Sequence, residues 1–248
     1  MAVSRKDYLH FGGSTSCYMV QAGQQTVFLD AGTGLLSAPV SFLRPPVILL
    51  SHLHLDHLLG LGMYPRLSQN GKETFIYLPA GEQGADSRLD GLYAPPYWPL
   101  SLCGYAGTQQ IGELVFPMQL GDITVEGIQG NHPGGCWVMR LCCGGRKLVY
   151  ATDYEPAEPS FSELISFAEN ADLLLYDGQY TQEEYEQRKG FGHSTAEKGI
   201  EVMERSGAKR LLLIHLDPQH TDRFLLEREK KIGCERVSFA REGEEIVI

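Results

Sequence analysis

The 248 residues are 43% hydrophobic and carry a formal net charge of −10, a length and composition that commonly bury one core in a single domain, here 1–248. That charge excludes the basic field on which non-specific nucleic-acid binding depends. Met1 to Asp7 lacks the apolar segment of a signal peptide, and no apolar run reaches the length of a membrane span, so a soluble, cytoplasmic protein is expected. The six cysteines show neither Cys-x-x-Cys spacing nor the density of a disulfide-stapled secreted domain, and they read as reduced thiols.

Taken along the chain, Cys17 to Ala22 and Gln25 to Asp30 read as strands around a Gly23 turn, and Val47 to Ser51 as a short buried strand. Gly60 to Gln110 is proline-rich and irregular. It is predicted to hold a strand near Thr74 to Leu78 and a long loop whose aromatics, Tyr93, Tyr97 and Trp98, either wall a pocket or simply pack. Ile123 to Ile128, Cys136 to Cys143 and Lys147 to Thr152 read as strands, the last two joined at Gly144-Gly145 as a hairpin. Helix and strand then alternate: helices at about 160–170, 181–189, 195–206 and 223–231, and strands at 173–176, 210–214 and 235–239. No repeat, low-complexity tract or charge block marks a linker. Two sheets inside with helices outside are therefore expected.

The chemistry concentrates after strands. His52, His54, Asp56 and His57 follow one strand at spacings of two, two and one, so a single loop turns several nitrogen and oxygen donors toward one point. Imidazole with carboxylate suits zinc, manganese or iron. One loop cannot fill two coordination spheres, and three more candidates end other strands: His132, Asp153 and His215. His193 precedes Ser194-x-x-Glu197, a capping-box pattern that predicts a helix starting immediately after it. The helix N-terminus would favour a bound anion such as phosphate while making His193 itself harder to protonate. His10 and His220 have no such context and are expected at the surface.

In this order, His-x-His-x-Asp-His, a lone His, a lone Asp and a final His after a strand, the sequence resembles the metallo-β-lactamase superfamily over nearly its whole length, in particular the ribonuclease Z and phosphodiesterase branch. The resemblance implies an α/β, four-layer αββα sandwich. It implies two divalent ions, zinc or manganese with iron an alternative: one held by His52, His54 and His132, the other by Asp56, His57 and His215, with Asp153 bridging. Asp30-x-Gly32 is similar to the family's early turn that braces the site. Tyr176-Asp177-Gly178 followed by Gly192-His193-Ser194-Thr195 looks like ribonuclease Z, where an acidic residue and a His-Ser-Thr segment occupy these places. By that likeness His193 would contact the scissile phosphate or protonate the leaving group, oriented by Asp177, where the family usually has the longer Glu.

Two close ions can share a hydroxide and clamp substrate oxygens, and the expected reaction is attack on a phosphodiester, with Asp56 orienting the nucleophile and His193 assisting the departing alkoxide. The long arm that ribonuclease Z uses for transfer RNA would fall between His132 and Asp153, where this chain has only a short hairpin. With an acidic surface as well, the expected substrate is a small phosphodiester such as a cyclic nucleotide, and no large nucleic acid or membrane partner is expected. Relatives are often dimers, so a homodimer stays open. Two other readings stand beside this one: hydrolysis of a lactone, thioester or lactam carbonyl by the same centre, and a non-catalytic metal-binding protein.

Overall fold

The computed structural model describes residues 5–81 and 84–248; Met1–Ser4, which carry part of the reading of the N-terminus, lie outside the described residues. The chain divides into two compact units, Thr15–Ile123 and Met1–Ser14 with Thr124–Ile248.

In the Thr15–Ile123 unit, β1 (Tyr18–Ala22) and β2 (Gln25–Leu29) form the expected antiparallel hairpin, with Gly23 at φ +57° in the turn. β3 (Val47–Leu49), β4 (Glu73–Leu78) and β5 (Thr108–Glu113) add in parallel, giving the order β1-β2-β3-β4-β5. β2 and β3 are buried at every position, which is why they read as unbroken runs, whereas β4 alternates with Thr74, Ile76 and Leu78 inward. The irregular stretch carries short 3-10 turns and one helix, α1 (Ala85–Asp90). Its aromatics divide: Tyr93 is buried against Trp98, edge to face at 5.6 Å, Trp98 donates to the Tyr105 hydroxyl at 2.7 Å, and Tyr97 is exposed. Tyr93 and Trp98 are thus packing residues of this unit's core. A short strand, β6 (Met118–Leu120), follows.

In the other unit, β7 (Ile123–Gly130), β8 (Cys136–Cys143) and β9 (Arg146–Ala151) are antiparallel neighbours. β9, β10 (Leu173–Asp177), β11 (Leu211–Ile214) and β12 (Val237–Phe239) are parallel, in the order β12-β11-β10-β9-β8-β7. Gly144 and Gly145, at φ +56° and +78°, supply the two left-handed residues that a two-residue hairpin of matching twist needs. The helices are α2 (Ser160–Phe167), α3 (Gln182–Gln187), α4 (Ala196–Ser206) and α5 (Asp222–Ile232). α4 lies close on β10 and β11 because Gly199 is a glycine: a Cβ there would stand 2.8 Å from the Tyr176 ring.

Two expectations are corrected. The N-cap of α4 is Thr195, which accepts from the Lys198 N–H at 3.3 Å; Ser194 is buried and bonds the Tyr176 hydroxyl at 2.8 Å, so it is not available to cap. The capping box lies instead at Thr181 and Glu184, at the start of α3. His220 is not at the surface: it is buried, its Nε2 lies 3.0 Å from Glu184 Oε1, and its ring packs at a tilt against Phe224, 4.3 Å between centroids.

Asp172 ties β9, β10 and the start of β11 together. It accepts from Lys209 Nζ at 2.7 Å, from the Lys147 N–H at 2.9 Å and from Arg146 at 3.2 Å. The Lys209 bond, then the Lys147 N–H, hold its carboxyl down at about 2. A carboxyl lowered by folding stabilises the native state above its ordinary value, about 4, and loses that contribution as the pH falls toward 2. Asp172→Asn is expected to lower the melting temperature at pH 7 by on the order of 5 °C. In thermal melts against pH, the gap to wild type should close below about pH 4; a constant gap would show that charge is not its origin.

Candidate metal centre

The predicted site residues leave the ends of strands, and the backbone there is unusual. Asp30, Asp153 and His215 follow β2, β9 and β11 with φ of +62°, +45° and +57°; among the described residues, the other non-glycine with positive φ is Asn170. Asp, Asn and His tolerate the left-handed region better than bulkier residues. The turn redirects the side chain out of the strand's alternation, and such strain persists where surrounding bonds over-determine it, commonly at functional sites.

In the Thr15–Ile123 unit the loop after β3 brings His52, His54, Asp56 and His57 together. The His52 ring meets His54 at 4.5 Å and His57 at 4.2 Å between centroids, and His57 Nε2 lies 3.6 Å from Asp56 Oδ2. Asp30, fully buried, sets the chemistry of two of these rings. Its Oδ2 accepts from His57 Nδ1–H at 2.7 Å and from the Ser51 hydroxyl at 2.8 Å, and its Oδ1 accepts from the Ser51 N–H. Since the only hydroxyl proton of Ser51 goes to Asp30, Ser51 Oγ accepts from His52 Nδ1–H, 3.0 Å away. In both rings Nδ1 therefore carries a proton, and in the neutral ring Nε2 is the lone-pair nitrogen, the form that ligates metals. Glycines make room for this brace: a Cβ on Gly32 would stand 2.4 Å from the Asp56 carbonyl, and one on Gly60 would stand 2.0 Å from the Gly32 carbonyl.

In the other unit His132, Asp153, Asp177, His193 and His215 converge. His132 Nδ1–H donates to the Gly192 carbonyl at 2.9 Å, and His215 Nδ1–H to Gln179 Oε1 at 2.9 Å. Carbonyl oxygens only accept, so in their neutral form these rings too present Nε2 lone pairs. They aim them at the two oxygens of one carboxylate: His132 Nε2 is 3.8 Å from Asp153 Oδ2, and His215 Nε2 is 3.4 Å from Asp153 Oδ1. His193 stacks on His215 at 4.8 Å, and its Nδ1 is 2.8 Å from Asp177 Oδ2. The Asp177 side chain is thus long enough to reach the His193 ring. Asp177 is fully buried, and it also accepts from the N–H groups of Gln179 at 3.0 Å and Ser194 at 3.3 Å. Tyr180 meets the His193 ring edge-on at 5.7 Å; burial pushes its phenol up to about 12, so it stays neutral and forms a wall without acting as a base.

Electron-rich atoms facing one another across 3–4 Å at ring after ring suit a cation. One donor atom each from Asp153, Asp177, His193 and His215 falls within 4.8 Å of the others, and nitrogen with carboxylate oxygen is the donor set of zinc, manganese and iron. These residues fit divalent metal ions. Sequence reasoning missed three parts of this support: Ser51, Gln179 and Glu155, whose carboxylate holds the loop before His193. Each acts on a ring or loop through a bond that no motif spacing announces.

Such a fold with such a site defines a metallo-β-lactamase-fold hydrolase. A family model described as the β-lactamase superfamily domain matches residues 25–216, and the chain belongs to that superfamily. It is similar to the probable metallo-hydrolase YhfI of Bacillus subtilis, 26% identical over 93% of this chain and 91% of the relative. The crystal structure of YhfI superposes with a TM-score of 0.71 at 23% identity, covering 96% of this chain and 93% of that one. Ribonuclease Z of Ignicoccus hospitalis is 28% identical over 82% of this chain and 83% of its own length. A structure described as a new diphosphatase from the PhnP family superposes with a TM-score of 0.69 at 17% identity, covering 94% of this chain and 84% of that one. The metallo-β-lactamase fold expected from the motifs is borne out. Among the described residues, no helix is long and apolar enough to cross a membrane.

Proposed function

We propose that the protein is a phosphodiesterase acting on a small phosphodiester, and that the residues singled out by the motifs would hold its divalent ions: His52, His54, Asp56 and His57 in one unit, and His132, Asp153 and His215 in the other. When bound, the ions supply Lewis-acid polarisation of the phosphoryl group and acidify a water enough for attack near neutral pH. The chain's residues do the rest. Asp56 orients the nucleophile, and His193 delivers a proton to the departing oxygen. The observation that carries this reading is the pair of His193 and Asp177. A buried carboxylate 2.8 Å from Nδ1 holds the ring in place and leaves Nε2 as the nitrogen that exchanges a proton with the substrate, as the aspartate of a catalytic triad orients its histidine. Ester hydrolysis with a poor alkoxide leaving group needs that proton.

The kinship to ribonuclease Z and the likeness to a PhnP-family diphosphatase support a phosphate substrate. The single hairpin between His132 and Asp153 and the charge of −10 favour a small one. The test is turnover of zinc- or manganese-loaded protein on bis-p-nitrophenyl phosphate and on 2′,3′- and 3′,5′-cyclic nucleotides, beside lactones, thioesters and a cephalosporin. Phosphodiester cleavage abolished by chelation is expected; cleavage of carbonyl substrates alone would overturn the reading.

Phe191, two residues before His193, is 62% exposed on a loop fixed at Gly190 and Gly192. We assign it to stacking on the substrate's base or aryl group. Phe191→Ala is expected to raise KM for nucleotide and aryl diesters about tenfold with little change in kcat. An equal rise for a dialkyl diester would refute the stacking role.

A further inference from the structure

The residue after Tyr154 in the Asp153 turn is a glutamate, and its placement is unlike that of the chain's many surface carboxylates. Glu155 is only 8% exposed. Its Oε1 accepts from the Gly190 N–H at 2.7 Å, and its Oε2 accepts from the Gly192 N–H at 2.9 Å and again from Gly190 at 3.0 Å. Its own backbone is fixed to the residue preceding His132: Glu155 N–H donates to the Asn131 carbonyl at 2.9 Å, and Asn131 Nδ2 donates to the Glu155 carbonyl at 3.0 Å. One residue thus grips both the segment that carries His132 and the loop that leads into His193.

The carbonyl of Gly192 is the acceptor that holds His132 Nδ1–H. With φ at +90°, Gly192 sits where a Cβ would stand 2.0 Å from His132 Nδ1, so loop and ring are in direct register and neither moves without the other. We propose that Glu155 is a positioning residue for the metal centre: by pinning the Gly190 and Gly192 N–H groups it aims the Gly192 carbonyl at His132, fixes that ring in the Nδ1–H form with Nε2 toward Asp153, and sets the place of His193 from the same carboxylate. A carboxylate accepting from backbone N–H groups makes strong, directional bonds, and partners that orient a metal-binding imidazole commonly matter 10–100-fold in metal affinity or activity. The inference rests on the metallo-hydrolase reading for its consequence in catalysis, but its core, control of the His132 ring by Glu155, is measurable without metal.

Glu155→Ala and Glu155→Gln are compared with wild type in three ways: long-range proton–nitrogen spectra of the histidine rings in metal-free protein, zinc affinity by competition with a chromophoric chelator, and kcat and KM on bis-p-nitrophenyl phosphate. In wild type, His132 is expected to be a single Nδ1–H tautomer. Glu155→Ala should give mixed tautomers at His132, about 10–100-fold weaker zinc binding and a lower kcat at similar KM. Glu155→Gln, which keeps one acceptor oxygen and the side-chain volume, should lie between. A variant that keeps the single His132 tautomer and wild-type zinc affinity while only its melting temperature falls would reduce Glu155 to a structural tether and overturn the proposal. Should Glu155→Ala not fold, the same readings on Glu155→Gln decide it. If wild type neither binds zinc nor cleaves the diester, the proposed function fails, and the tautomer of His132 still tests the clamp.

Discussion

Replacing His193 with alanine is expected to leave metal content unchanged and to slow turnover by about 10²–10⁴-fold, but only where the leaving group is a poor one. The geometry gives the reason. Nδ1 of His193 is engaged by buried Asp177, the ring stacks on His215 and stands 4.0 Å from Asp153, so its other nitrogen is the one left for substrate. An acid catalyst matters in proportion to the basicity of the departing oxygen. A nucleoside alkoxide cannot leave without a proton, whereas p-nitrophenolate can. The loss should therefore be large on cyclic nucleotides and small on bis-p-nitrophenyl phosphate. Asp177→Asn should show the same sensitivity to leaving group, because an amide can stabilise neither the imidazolium nor the required tautomer as a carboxylate does. Metal analysis and kcat on the two substrate types separate the alternatives. Loss of metal in His193→Ala would make His193 a ligand, in keeping with its grouping with Asp153, Asp177 and His215. Equal losses on both substrates would make it a binding group.

How far the sequence revealed this arrangement depends on what kind of contact was involved. Donors to a metal must be several and convergent, and the proposed ones show it in sequence: His52, His54, Asp56 and His57 are spaced within one loop, and Asp153 and His215 follow the ends of apolar strands. Those constraints are local and legible. The strands themselves were visible where burial is one-sided or complete, as in β4 and β10. β5 was not: Thr108–Glu113 is largely polar and partly exposed on the outside of its sheet, so neither alternation nor an apolar run marks it. What sequence could not show were bonds between a side chain and a distant backbone or side chain. Glu155 and Gly192 lie 37 residues apart, His215 and Gln179 36, and His220 and Glu184 36. The His220 case shows the same limit in a misplacement: a histidine without neighbours in sequence was expected at the surface, and the fold buries it against a helix-capping glutamate. Ser194 is a milder instance, since a serine-x-x-glutamate pattern is compatible with a cap at either of two adjacent hydroxyls, and the buried Tyr176 hydroxyl decides for Thr195.

Asp153→Asn is expected to abolish metal-dependent stabilisation and activity while leaving the metal-free protein at least as stable as wild type. Asn tolerates the left-handed backbone at this position, φ +45°, and it keeps an oxygen for the Thr152 hydroxyl, which donates to Asp153 Oδ1 at 2.6 Å. Backbone and packing should therefore survive. What changes is charge. Asp153 is buried, with Asp177 in the same cluster and two imidazole Nε2 atoms 3.4 and 3.8 Å from its oxygens. Without a cation, two buried carboxylates in one cluster oppose each other's charge, and an amide relieves that opposition. With a cation the expected sign reverses: binding to the native state alone stabilises it by about 2.7 kcal/mol at a hundredfold excess over Kd, or roughly 5–10 °C for a chain of this size, and in the proposed ligand set the carboxylate is needed to hold the ion. Melting curves with and without zinc are thus expected to cross. Wild type should melt at or below Asp153→Asn in chelator and well above it in zinc, and phosphodiesterase turnover should fall on the order of 10³-fold or more in the variant. A zinc-induced shift preserved in Asp153→Asn would remove Asp153 from the metal centre. A variant destabilised equally in both conditions would show that its charge serves the fold, and the strained turns that end β2, β9 and β11 would then need a structural explanation rather than a catalytic one.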